Sequence, residues 1–578
     1  MGNPARWVAV VLWCAAFLSI VTGPAASAEA AGGGGAWIGW CAEAGGPLRP
    51  SRPVYQPRGD RRWLTLGTGA PAQGCRGRAV PVDMGHVVWF GPLPAMAGSF
   101  GQGLTLQGLA GSAGFDVSDI QPVVEPAGSR QAEHRPMPLA VDILPMLDIR
   151  PFGDEERGGV DRRADRVILT CRPGEKPAGF LFRHPGRTLP ASTGLSVRVR
   201  VGTDGRGWLL GFSDAGRQRR EDPLLLGSLE EAVTERPLPD LPRDGPDFSV
   251  TVTCPPAGGT LDVSAIELAP RAPARTTETA AWMWRPSAWR EASADLFERL
   301  ARHKAGVVYI TVPLGDGAVE QADGLGDFIA AAAARGIAVW AVFGDPHAVL
   351  PSERPRFERW ARLYAAYNAA SPPGRRLAGL QLDIEPYLLP GYSQDAPAWD
   401  AAYVETVNAI ATAAAGLPVE VAVPVWFGSS LRLGRILDRL APEIGSIAVM
   451  DYRTDTGRIV DGALPFLAWG AEKRRGVRIA VEFGPLPDEE IRIYRPADTG
   501  DGELWRVPLD GGDALVLLDR PARNPAGPAL SFIGGSIAPG RALTFHGDWD
   551  RAPELLRALE AEMKPWPSFL GMAIHGMD

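Results

Sequence analysis

The sequence predicts a mixed α/β protein in which an antiparallel β-sandwich and a small, loop-rich N-terminal β region precede a C-terminal (β/α)8 barrel. Two observations carry this. Over residues 276–578, eight short strand-like runs alternate with seven helical patterns, the signature of parallel strands joined by crossover helices. Over residues 139–272 the chain shows only short β-branched runs cut by Gly and Pro turns. At 578 residues, with 45% hydrophobic and 22% charged side chains, the chain reads as a folded protein of several domains. A net charge of −8 argues against a nucleic-acid partner, which would need a basic face to neutralise phosphates.

The elements follow in order. Residues 1–28 read as a secretory signal peptide: Arg6, an apolar stretch from Trp7 to Val21, then Gly23-Pro24 and the small-residue site Ala26-Ser27-Ala28. The apolar stretch is shorter than the roughly 20 residues that span a bilayer. Cleavage after Ala28 is expected, with an uncleaved anchor as the alternative, and no membrane span is expected after cleavage. The mature chain, secreted or periplasmic, then keeps Cys41, Cys75, Cys171 and Cys254. An even count in an exported chain predicts two disulfides, each between sequence neighbours, although buried free thiols are the alternative. No CxxC pair or His partner marks a zinc site, and no metal or cofactor is expected. Residues 29–138, rich in Gly, Pro, Arg and Ala, read as a loop-rich β unit or a partly ordered region pinned by Cys41–Cys75.

Residues 139–272 carry the runs Arg166–Cys171, Leu195–Val201, Trp208–Phe212 and Phe248–Cys254, expected to form the sandwich. Its role is either structural or carbohydrate-binding. A Pro/Ala/Arg stretch at 270–275 reads as a linker. The barrel strands are expected at Ala281–Arg285, Gly306–Val312, Ala338–Phe343, Ala378–Glu385, Val419–Trp426, Ile447–Tyr452, Val477–Phe483 and Phe569–His575. Asp578 directly follows the eighth strand, so the eighth helix is expected to be missing. Residues 484–545 are too long for an ordinary βα loop; with strand-like runs at Ile491–Arg495 and Ala514–Leu518, they read as an inserted hairpin lid.

Barrel active sites form at the C-terminal ends of the strands. Strand four ends Gln381-Leu382-Asp383-Ile384-Glu385, and the alternation of a strand puts Gln381, Asp383 and Glu385 on one face. Two carboxylates ending an otherwise apolar strand are costly unless they line a wet cleft; a salt bridge or helix cap is the structural alternative.

Here the chain resembles the chitinase-like glycoside hydrolases of family 18. Their fourth strand carries D-x-x-D-x-D-x-E, and Asp383-Ile384-Glu385 matches its last acid pair, while Ala378 and Gln381 stand where the earlier aspartates would be. Met450-Asp451-Tyr452-Arg453 resembles the family's M-x-Y-D up to its last position. The eighth-strand tryptophan of the family has no match, because that strand ends in His575. The resemblance covers the barrel alone. It implies Glu385 as general acid/base, and Asp383 and Tyr452 as residues that orient a substrate N-acetyl group.

A second arrangement stays open. Glu482 ends strand seven, where it is either a direct nucleophile paired with an acid on strand four or a structural ion-pair partner. Trp284 and Trp426, late in their strands, divide between core packing and flat platforms for sugar rings. Asp345 and Asp316 are candidates for bonds to hydroxyls. Gln381 and His575 complete the expected substrate contacts, with a structural histidine as the other reading of His575. The expectation is an exported enzyme acting on a polysaccharide or oligosaccharide. The alternatives are a non-catalytic glycan-binding barrel in envelope or exopolysaccharide assembly, and a barrel polysaccharide deacetylase or lyase.

Overall fold

The computed structural model describes residues 36–577 apart from 44–51, 58, 60, 72, 94–101, 112–113, 124–134, 185, 191–193, 203–206, 214–223, 230–231, 239–247, 272–274, 316 and 499. The signal-like residues 1–28, Asp316 and part of the expected linker lie outside the described residues.

Eight parallel strands close on themselves: Thr279–Met283, Ala305–Thr311, Ala338–Phe343, Gly379–Leu382, Val419–Pro424, Ile444–Met450, Gly476–Glu482 and Phe569–His575. Their bounds coincide with the sequence expectation for strands three and eight and differ by up to three residues elsewhere. Alternation explains the barrel's two faces. Ile310, Leu380, Leu382, Val421, Val423, Ile447, Ile479 and Val481 point outward into one core shared with the surrounding helices. Inside, alanines on strands five to eight (Ala422, Ala448, Ala480, Ala573) share a cluster with the bulky Trp282, Tyr309 and Trp340 of strands one to three. Large side chains on one side are thus matched by small ones from the other, which fills the interior.

The stretch expected to be a hairpin lid has a different structure. It forms four strands, Glu489–Pro496, Asp501–Val507, Ala514–Arg523 and Ala529–Ala538, which join Val87–Pro92, Leu104–Gly111 and Gly114–Pro122 in one seven-stranded sheet. A lone hairpin would leave both edges unpaired, and the N-terminal strands supply the missing partners. One face of this sheet buries Trp89, Leu104, Leu106, Tyr494, Leu515 and Leu517. The other packs Phe90, Trp505 and Val516 against a four-stranded sheet of Arg52–Tyr55, Arg61–Thr68, Ala36–Cys41 and Cys75–Val80. The Cys41–Cys75 disulfide joins directly opposed residues of that sheet.

This β unit meets the barrel at two places. At its root Phe545 N–H donates to the Glu482 carbonyl at 2.9 Å. At its far side Tyr55 N–H donates to the Pro390 carbonyl at 2.9 Å, and the Tyr55 ring stands edge-on to His347. The first contact is at strand seven and the second at the loops after strands three and four, so the unit is anchored on opposed sides of the rim.

Between the β unit and the barrel in sequence lies a sandwich of two five-stranded antiparallel sheets. The Cys171–Cys254 disulfide ties a strand end of one sheet to a strand end of the other. Both disulfides follow the expected pairing. Among the described residues no helix is long and apolar enough to cross a membrane.

Candidate active site

Strand four delivers its carboxylates to the rim through a close approach of the chain. Asp383 N–H donates to Phe343 O at 3.1 Å, and a Cβ on Gly344 would sit 1.7 Å from the Asp383 carbonyl oxygen. Only glycine permits that contact. Asp383 is half-buried as a residue, yet its Oδ1 is buried and has no hydrogen-bond partner. Burial pushes its pKa up to about 6, opposed by His575 only when that ring carries a second proton. Two residues on, Glu385 is buried and accepts a hydrogen bond from the Tyr387 hydroxyl. Burial first, and then the neighbouring charge of Asp383, raise its pKa well above the carboxylate range, while the Tyr387 bond draws it partly back. Two adjacent carboxyl groups are therefore separated by environment: Asp383 ionises first and Glu385 retains its proton longer.

Strands seven, eight and one supply another wall. Glu482 stands level with His575 in the ladder, and its side chain is fully engaged. One oxygen accepts from Gly484 N–H at 2.5 Å, and the other bonds His575 Nδ1. Trp284 Nε1–H donates to His575 Nε2 at 2.9 Å. A donor aimed at Nε2 requires a lone pair there, so this arrangement fits the neutral imidazole with its hydrogen on Nδ1, facing Glu482. The Tyr452 ring lies 5.6 Å from that of His575, which places the strand-six tyrosine in the same wall.

Gln381 lies below the cleft. It is fully buried; its amide oxygen accepts from Trp282 and its nitrogen donates to Glu420 at 2.8 Å. Glu420, the second residue of strand five, is the centre of a buried network that the sequence reading missed. It accepts from the hydroxyls of Tyr309 and, at 2.9 Å, Ser446, and pairs with Arg478 at 3.4 Å. A charge inside Val419-Glu420-Val421-Ala422-Val423, matched by another in Val477-Arg478-Ile479, was the signal available. Tyr387, directly after Glu385-Pro386, was also missed.

Trp426 is half-buried beside strand four, its ring edge-on to Tyr387 at 5.0 Å. Asp345 is turned toward its own loop. Its Oδ1 accepts from the His347 backbone N–H at 2.7 Å and bonds the His347 ring. Burial would raise the Asp345 pKa, but those bonds outweigh it and hold the group below its ordinary value. Among the described residues no cluster of three or more His, Cys, Asp or Glu is placed to hold a metal ion.

No family model matches the chain, and no curated protein matches it in sequence. Solved structures do. The CBM22-1–GH10 modules of an endo-1,4-beta-D-xylanase from Clostridium thermocellum, complexed with xylohexaose, align at 10% identity and TM-score 0.25, over 64% of this chain and 83% of that one. Catalytic domain 2 of the group II chitinase of Ostrinia furnacalis aligns at 12% identity and TM-score 0.30, over 52% of this chain and 89% of that one. A chitinase of Chromobacterium violaceum aligns at 14% identity and TM-score 0.29, over 52% and 93%. None of these TM-scores reaches 0.5, so these likenesses carry no functional argument.

Proposed function

We propose that this is an exported glycoside hydrolase in which Glu385 is the general acid/base and Asp383 assists a substrate N-acetyl group. The observation that carries this is the pair at the end of strand four. Glu385 is buried and strongly biased toward its protonated form, beside an Asp383 whose buried Oδ1 lacks a partner. A buried acceptor left open in a cleft is suited to a donor brought by the substrate. An ionised Asp383 accepts the amide N–H of the N-acetyl group, which sharpens the amide oxygen for attack on the anomeric carbon. The glycosidic C–O bond breaks as the Glu385 proton passes to the leaving oxygen. Water then opens the cyclised sugar, giving its proton back to Glu385. Tyr452 stands on the wall beside His575, where its hydroxyl would steady the reacting group.

The competing route, direct attack by Glu482, is disfavoured because both Glu482 oxygens are already engaged. Export is supported by the signal-like residues 1–28 and the two disulfides.

Reducing-end release from bacterial polysaccharides with and without N-acetyl groups tests the reading. Glu385→Gln keeps size and reach but removes the transferable proton, so turnover should fall by about 10²–10⁴-fold with binding nearly unchanged. Glu482→Gln should cost far less. A fully active Glu385→Gln overturns the assignment. A wild type that binds glycan and cleaves nothing replaces it with a non-catalytic barrel.

A further inference from the structure

The hydroxyl that contacts Glu385 belongs to a chain of contacts leading away from the cleft to a buried carboxylate. Tyr387 meets Trp426 edge-on, and Arg432 lies over the Trp426 ring, its guanidinium carbon 4.1 Å from the ring centroid. Arg432 and Arg435 both face Asp400, at 4.0 Å and 3.2 Å. Asp400 is 1% exposed, on the helix Ala396–Ala413, and its other oxygen accepts from the Tyr392 hydroxyl at 2.7 Å. One carboxylate therefore joins two separate loops: the one after strand four, through Tyr392, and the one after strand five, through both arginines. Neither segment is held by strand pairing: Tyr392 opens a single 3-10 turn and the arginines lie on the six-residue helix Ser430–Arg435, and the Asp400 carboxylate links the two.

We infer that Asp400 is a positioning residue that fixes Trp426 and Tyr387 against the acid Glu385. This rests on the hydrolase reading for its kinetic consequence but not for its structural one. A buried carboxylate facing two guanidiniums is costly to remove, because both cations lose their counter-charge. Arg432 then leaves the Trp426 face, Trp426 no longer limits the Tyr387 ring, and the hydroxyl drifts from Glu385. The groups that act on Glu385 are Asp383 beside it and Tyr387 in the following turn; Glu385 and Asp383 together raise Tyr403 on the helix that carries Asp400, and a proton on His575 would draw Asp383 down. Of these, the Tyr387 bond lowers the Glu385 pKa. Its loss moves the basic limb of the pH–rate profile to higher pH, because the acid keeps its proton longer.

The test uses the full chain with Asp400→Asn, which preserves shape and an acceptor for Tyr392. Hydrogen exchange should quicken by about tenfold or more in residues 386–394 and 426–435, with the rest of the barrel unchanged. With any polysaccharide the wild type cleaves, kcat/KM should fall by about tenfold and the basic limb should move up. Tyr387→Phe should move the limb in the same direction without quickening exchange in 426–435. Where Asp400→Asn does not fold, Arg432→Met, which leaves Asp400 its Tyr392 and Arg435 partners, should quicken exchange in 426–435. Unchanged exchange in both loops overturns the inference, and so does a fall in rate with the limb in place. A wild type that releases no reducing ends counts against the hydrolase reading alone, and loop exchange then decides the role of Asp400.

Discussion

Replacing Asp383 by Asn is expected to make the protein more stable at neutral pH. The folded structure raises this carboxyl from 3.8 to about 6, chiefly by burial. At about 1.4 kcal/mol per unit, holding it ionised costs the fold up to about 3 kcal/mol. Water reaching this half-buried residue makes this an upper bound. For a group whose folded pKa is raised, the stabilising contribution is fully present below the unfolded value, near pH 4, and is lost as pH rises through about 6. Asn, equal in shape and uncharged, avoids that loss. The barrel has about 300 residues and so an unfolding entropy of about 0.6 kcal/mol per kelvin, which puts the ceiling near 5 °C in Tm. Thermal unfolding of the wild type and Asp383→Asn from pH 4 to pH 8 measures it. The two should melt together at pH 4 and separate in favour of the variant between pH 5 and 7, while the variant loses turnover. A variant less stable than the wild type at pH 7.5, or a gap independent of pH, would refute the reasoning. A side chain that weakens the fold at working pH is what a binding or catalytic role predicts.

Two further outcomes follow from the same geometry. Glu420→Gln leaves the buried Arg478 without its counter-charge and should destabilise the barrel by about 3–5 kcal/mol; a melt within 1 °C of the wild type contradicts this. A fragment of residues 276–577 leaves the insertion's strands without partners from 87–122 and should aggregate, whereas the same fragment with 485–540 replaced by a short Gly/Ser loop should stay soluble. The reverse order of solubility refutes it.

The barrel strands were legible because their cause is local: runs such as Leu380–Leu382 and Ile447–Met450 favour strand and are followed directly by Asp383 and Asp451. Asp383 and Glu385 were legible for the same reason, since carboxylates at the end of an apolar strand stand out. Gln381 shares their face but sits one step deeper, and alternation says nothing of depth along a strand. Glu420 and Tyr387 were missed because their importance lies in partners from other strands and turns, Arg478 and Trp426 among them. The insertion was misread because two of its four strands, 501–507 and 529–538, mix Gly, Ser and charged residues with apolar ones. Their pairing depends on a sheet whose other strands lie far away in sequence.

That distance constrains how the chain folds. Leu104 pairs with Tyr494, and Trp89 with Leu517, so each ladder closes a loop of about 400 residues. Such pairings form late, because the entropy of closing the loop is lost before any contact compensates for it. The N-terminal strands must wait, with open edges, until most of the chain has been made. The segment they wait for also lies between strands seven and eight, so closing the barrel brings the two ends of that segment together at the rim. Barrel closure and completion of the seven-stranded sheet are thus coupled through this one segment.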